Sequence, residues 1–143
     1  MKKVITLVLV AALLFCMPGA ALAADNVQAA GESDSVVTPM LAYISYATCG
    51  LNISSNGYAQ MSAAMACYSP VNKIRISPHL QRYVNGSWQD VASWSQTTYS
   101  DYATWSKGYY VTSGYEYRLK CYYYCYYDYT LLESVTCTHY DTY

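Results

Sequence analysis

The sequence predicts a secreted all-β protein: one antiparallel β-sandwich of six to seven strands behind a removable signal peptide and a short flexible leader. Three observations predict it. Polar and apolar residues alternate with period two over 73–84 and again over 115–127. Asn56-Gly57, Asn85-Gly86 and Ser113-Gly114 punctuate the chain at hairpin positions. Tyrosine occurs 19 times, among many Ser, Thr and Val, the types that suit a pleated surface.

The chain opens with the three parts of an export signal. Lys2 and Lys3 form a basic start, and Val4 to Met17 is apolar except for Thr6. That stretch is shorter than the roughly 20 residues a membrane span needs. Ala21-Leu22-Ala23 supplies small residues where a signal peptidase cuts, so cleavage is expected after Ala23. Residues 24–40 are small and polar without a period and read as the leader, leaving 41–143 as the domain.

Strand one is expected over Tyr43 to Ile53, and strand two over Tyr58 to Cys67, although Met61 to Ala66 also fits a helical turn. Strand three, Lys73 to Val84, puts Ile74, Ile76, Pro78 and Leu80 on one face and Lys73, Arg75, Ser77, His79 and Gln81 on the other. Pro78 donates no ladder bond, which predicts an edge or a bulge there. Strand four runs from Ser87 to Ser95. Its Trp88, Val91 and Trp94 recur every third residue, so a bulge intervenes or one tryptophan points outward.

A fifth strand is expected over Asp101 to Lys107 and a short sixth over Tyr109 to Thr112. Tyr115 to Tyr127 is the longest, with Tyr117, Leu119, Cys121, Tyr123 and Cys125 facing inward and Glu116, Arg118, Lys120, Tyr122 and Tyr124 outward. Asp128-Tyr129-Thr130 turns the chain into a last strand, Leu131 to Tyr140. Counting 109–127 as one bent region makes these segments seven strands, within the expected six to seven.

Of the 143 residues, removal of 1–23 leaves 120, enough for one domain. Six basic residues then face nine acidic ones, a net charge of −3. That balance argues against a nucleic-acid partner, which requires a basic face, and against electrostatic membrane attachment. No second hydrophobic stretch provides a stable membrane anchor, so the expected location is extracellular.

The series Ile53-Ser54-Ser55-Asn56-Gly57-x-Ala59, Ile74-x-Ile76-x-x-x-Leu80-Gln81, Asn85-Gly86-Ser87-Trp88-x-x-Val91-x-x-Trp94-Ser95 and Gly114-x-x-Tyr117-Arg118-Leu119 resembles small exported proteins of Gram-positive, clostridia-type bacteria. The resemblance covers about residues 43–140. It implies an immunoglobulin-like or fibronectin III-like sandwich and brings no catalytic residues and no assigned function. It also implies a tyrosine corner at Tyr117, whose hydroxyl would bond back to the backbone. The cysteine of such strands should follow that tyrosine by two residues, but Leu119 stands there and Cys121 comes later. The antibody-type bond is therefore not expected.

Catalytic chemistry finds little purchase. The two histidines, His79 and His139, lie in strands, and His79 is on a polar face, where a solvated side chain is the expectation. The acids are spread singly beside turns rather than paired as glycoside hydrolysis needs. Cys121 and Cys125 have three residues between them in a strand and are not on the knuckle of a zinc site. The expectation is a non-enzyme without metal or cofactor.

Five cysteines remain after export: Cys49, Cys67, Cys121, Cys125 and Cys137. An exported chain can oxidise them, and two bonds among five allow fifteen connectivities. If the last hairpin centres on Tyr129, Cys121 and Cys137 stand opposite each other, close enough to bridge. Elimination then gives Cys49–Cys67 and leaves Cys125 over.

The aromatic supply is the distinctive feature. Tyr122, Tyr124 and Tyr126 form an outward stripe without charges between Tyr122 and Tyr127, and Trp88 and Trp94 are expected nearby. Such rings serve either as sheet filler or as rigid contact area for a partner. The expectation is a non-catalytic extracellular binding module for a cell-surface glycan or a protein. The alternative is a secreted structural or bacteriocin-like antagonistic protein.

Overall fold

Eight strands account for the secondary structure of residues 41–143, the part of the chain that the computed structural model describes. The signal peptide, its cleavage after Ala23 and the leader 24–40 lie outside the described residues. The strands are β1 (Ile44–Ile53), β2 (Tyr58–Cys67), β3 (Lys73–Val84), β4 (Ser87–Ser93), β5 (Gln96–Thr98), β6 (Tyr102–Tyr110), β7 (Glu116–Tyr127) and β8 (Thr130–Thr142). One antiparallel sheet has the order β1-β2-β6. The other has the order β4-β3-β7-β8, with β5 also on β3. Packed together they make a single β-sandwich.

The eight strands differ from the expected set in two places. The segments expected at 101–107 and 109–112 are one strand, β6, paired to β2 from Tyr102 to Tyr110. The three-residue β5 is too short to show a period. Met61 to Ala66 is strand, not helical turn: Ala59, Met61, Ala63 and Met65 are buried at alternate positions along β2.

Pro78 lies in an interior strand, not at an edge, because the far flank of β3 is shared between two partners. β5 pairs with Ile74, Arg75 and Ile76, and β4 pairs from His79 onward. Pro78 falls in the gap, where its carbonyl accepts from Trp94 N–H at 2.9 Å and its own missing N–H deprives no ladder.

The turns follow the glycine pairs. Asn85 and Gly86 have φ of 51° and 82°, the left-handed pair that a two-residue hairpin matched to strand twist requires. At the last hairpin Asp128 (φ 51°) and Tyr129 form a two-residue turn, and a bulge at Leu132 shifts the register by one. The two irregularities combine to set Cys121 opposite Cys137.

The core is built from the inward faces. Ile74, Ile76 and Leu80 of β3 and Tyr117, Leu119, Cys121, Tyr123 and Cys125 of β7 are buried against the β2 row. Two buried tyrosines each find a partner for the hydroxyl. Tyr123 Oη donates to Thr48 O at 2.5 Å, tying β7 to β1. Tyr117 Oη donates to Thr112 O at 2.7 Å and accepts from Thr112 N–H at 3.1 Å.

The free edge of β1 is covered by side chains of β8 instead of a strand. Glu133 accepts from the N–H groups of Ala42, Tyr43 and Ile44, each at 3.0 Å. Further along, His139 Nδ1 accepts from Leu51 N–H at 3.3 Å and Asp141 Oδ2 from Ile53 N–H at 2.7 Å. An open row of donors is thereby withheld from a second chain.

Candidate binding face

The outer face of the larger sheet is set by the register of β3 on β7. Lys73 stands opposite Tyr126, Arg75 opposite Tyr124, Ser77 opposite Tyr122, His79 opposite Lys120 and Gln81 opposite Arg118. Outward residues of the two strands therefore form one field in which cations and rings are neighbours.

The tyrosine stripe is not bare. The Arg75 guanidinium carbon lies 4.3 Å from the Tyr124 ring centroid, Lys73 Nζ 4.6 Å from that of Tyr126, and Lys120 Nζ 5.2 Å from that of Tyr122. The His79 ring meets Tyr122 edge-on at 5.4 Å. The absence of charge between Tyr122 and Tyr127 in the sequence is made good from the neighbouring strand. The three rings are half-buried, with positive groups above them.

Trp88 extends the field across β4. Arg118 lies 4.3 Å from its ring centroid, and Tyr83 and Tyr140 flank it at 5.1 and 5.7 Å. Trp94 does not join it. The extra residue in β4 is Val91, since Leu80 pairs with Ala92 and Gln81 with Asp90. That bulge turns Trp94 onto the core, where it meets Trp105 at 5.5 Å and Tyr109 at 6.1 Å.

A polar chain stiffens this face. Arg118 Nε donates to Gln81 Oε1 and Gln81 Nε2 to Asp90 Oδ1, both at 2.7 Å, and Asp90 Oδ2 lies 3.2 Å from His79 Nδ1. The Gln81 hydrogen bond, with His79 assisting, holds the Asp90 carboxyl below its ordinary value despite some burial. His79 is thus a partly exposed link between β3 and β4.

At the Lys73 end a cleft of about 340 Å³ is lined by Asn72, Lys73, Tyr99, Asp128 and Tyr129. Tyr99 is 84% exposed and Tyr129 97%, and Lys73 Nζ lies 5.3 Å from the Tyr129 centroid. Sequence reasoning missed both rings, because isolated tyrosines at turns give no periodic signal. It also missed Lys73, Arg75, Arg118 and Lys120 as partners of the stripe.

The cysteines fall into two groups. Cys49 on β1 neighbours Cys121 and Cys137; the two thiols, with burial, push its own thiol far above the ordinary range. Cys67 on β2 neighbours Cys125 on β7, and each thiol perturbs the other. The expected pairing of Cys49 with Cys67 is not brought together: Cys49 faces Ala63, whereas Cys67 faces Ile44, five positions along β1. At strand rise that is about 16 Å, beyond the reach of a disulfide. Among the described residues no group of three or more His, Cys, Asp or Glu is arranged to hold a metal ion.

No family model matches the chain and no curated protein matches it. Among solved structures it is similar to Spo0M, the sporulation control protein of Bacillus subtilis, with a TM-score of 0.38 and 11% identity over 66% of this chain. The chain spans 47%, about half, of that protein's length.

Proposed function

We propose that the protein is an exported, non-catalytic binding module that holds an anionic glycan on the outer face of the β3–β7 sheet. The observation that carries this reading is the row of cations over rings. A neutral sugar stacks on an open aromatic face, but here Lys73, Arg75 and Lys120 occupy the rings of Tyr126, Tyr124 and Tyr122. What a ligand meets first is positive charge held in fixed positions. Lys73, Arg75, Arg118, Lys120 and His79 share the face with Asp90 and Glu116, and a carboxylated or sulfated chain complements that arrangement.

The domain type belongs to the same reading. The order β1-β2-β6 against β4-β3-β7-β8 and the bond from Tyr117 Oη to Thr112 O support an immunoglobulin-like or fibronectin III-like sandwich with a tyrosine corner. Export rests on the Lys2-Lys3 start, the apolar segment and Ala21-Leu22-Ala23.

The test is affinity electrophoresis of the purified protein through gels containing polygalacturonate, heparin, a neutral β-glucan or polyglutamate. Retardation by the acidic polysaccharides, weakened by salt, is expected. Retardation by the neutral glucan alone overturns the charge argument. Retardation by polyglutamate alone assigns the face to an acidic peptide.

A further inference from the structure

We propose that Cys67 and Cys125 form a disulfide that staples the two sheets together, and that the second bond of the oxidised protein is confined to Cys49, Cys121 and Cys137. The inference rests on the packing of the strands and not on the glycan reading.

Three separate features bring the end of β2 against Cys125. The first is that each thiol perturbs the titration of the other, as neighbouring groups do. The second is Glu133. It stands opposite Cys125 on β8, its carbonyl accepts from Cys125 Sγ at 3.6 Å, and its carboxylate binds Ile44 N–H on the residue paired with Cys67. The third is the loop after β2. Five residues beyond Cys67, Asn72 N–H donates to Tyr126 O at 3.0 Å, one position from Cys125. Cys67 N–H is itself fixed on Asp101 O at 2.8 Å. The chain thus leaves one sheet and lands on the other beside the same cysteine, with Val71 buried beneath the crossing.

The remaining three thiols meet elsewhere in the core. Cys121 and Cys137 are in register, and Cys49 reaches both from β1. One bond can form there, by any of three pairings, and one thiol of the cluster is left over. Fifteen connectivities fall to three.

The chemistry is thiol–disulfide exchange with a disulfide donor such as oxidised glutathione. One thiolate attacks the donor and releases one thiol; the second thiolate attacks the mixed disulfide and releases the other. Two S–H bonds are lost, one S–S bond forms, and the two electrons and two protons leave on the two glutathione thiols. Attack needs a thiolate, and burial holds both Cys67 and Cys125 protonated once the sheets have closed.

The test is refolding of the purified protein from denaturant in a mixture of oxidised and reduced glutathione, then alkylation and chymotryptic digestion without reduction. Trypsin is unsuitable, because Cys49 and Cys67 share one tryptic peptide and Cys121, Cys125 and Cys137 share another. Cleavage after Tyr46, Tyr58, Tyr68, Tyr122, Tyr124 and Tyr126 separates all five. The expected product links the Cys67 and Cys125 peptides, and its Tm exceeds that of the reduced protein by about 8 °C or more. Cys49→Ser should leave that link intact, and Cys125→Ser should leave Cys67 alkylated. Cys67 linked to Cys49, Cys125 linked to Cys121 or Cys137, or both Cys67 and Cys125 alkylated in fully oxidised wild-type protein overturns the proposal.

Discussion

Arg75 stands directly opposite Tyr124 on the neighbouring strand, its guanidinium carbon 4.3 Å from the ring centroid. A cross-strand pair of this kind joins β3 to β7 as well as presenting charge. A double-mutant cycle of Arg75→Ala and Tyr124→Ser, read by urea unfolding, should give a coupling of about 0.5–1 kcal/mol. A coupling near zero would mean that the two side chains merely lie close.

Tyr117→Phe removes the hydroxyl that both donates to and accepts from Thr112 while leaving the ring in the core. The backbone of Thr112 loses both partners. The expected loss of stability is about 1–3 kcal/mol, measured by denaturant titration. An unchanged midpoint would show that water replaces the hydroxyl without cost.

Glu133→Ala uncovers three N–H groups at the start of β1. The variant should lose about 1–3 kcal/mol and associate through the exposed edge at high concentration, as size-exclusion chromatography would show. A variant that stays monomeric with wild-type stability would remove Glu133 as an edge cover.

In the reduced protein, burial together with Cys125 pushes the Cys67 thiol from 9 up to about 12. The folded state therefore keeps this proton at a pH where the unfolded chain has released it. The contribution is fully present below pH 9 and is lost progressively as pH rises toward about 12. Reduced wild-type protein should lose stability faster than reduced Cys67→Ala between pH 8 and pH 11, measured by urea midpoints. Parallel losses would contradict it.

Local pattern made much of the fold legible. Period-two alternation located β3 and β7, and Asn85-Gly86 placed a hairpin. Cys121 opposite Cys137 could be read because one short turn separates their strands, and the bulge at Leu132 compensates for the tighter turn at Asp128-Tyr129. What depends on non-local pairing was not legible. Pro78 signalled an edge or a bulge because nothing local reveals that β4 and β5 divide one flank of β3. Trp94 shares its spacing with Trp88, and only the bulge at Val91 sends them to opposite sides. The site suffered most. Tyr122, Tyr124 and Tyr126 were visible as a stripe, but the cations above them come largely from β3, about fifty residues away, through a register that the sequence does not state. Cys67 comes near Cys125 only when two sheets pack, so elimination among cysteines set it with Cys49, which lies too far along the strand.

The most direct test of the central claim is binding of the purified protein to polygalacturonate as a function of salt, for wild type and for Arg75→Glu combined with Lys120→Glu. The account predicts wild-type retention that weakens steadily as salt rises, and loss of retention in the variant while its circular dichroism stays that of a β-sheet protein. A folded variant that binds as wild type does, or wild-type binding indifferent to salt, would contradict it.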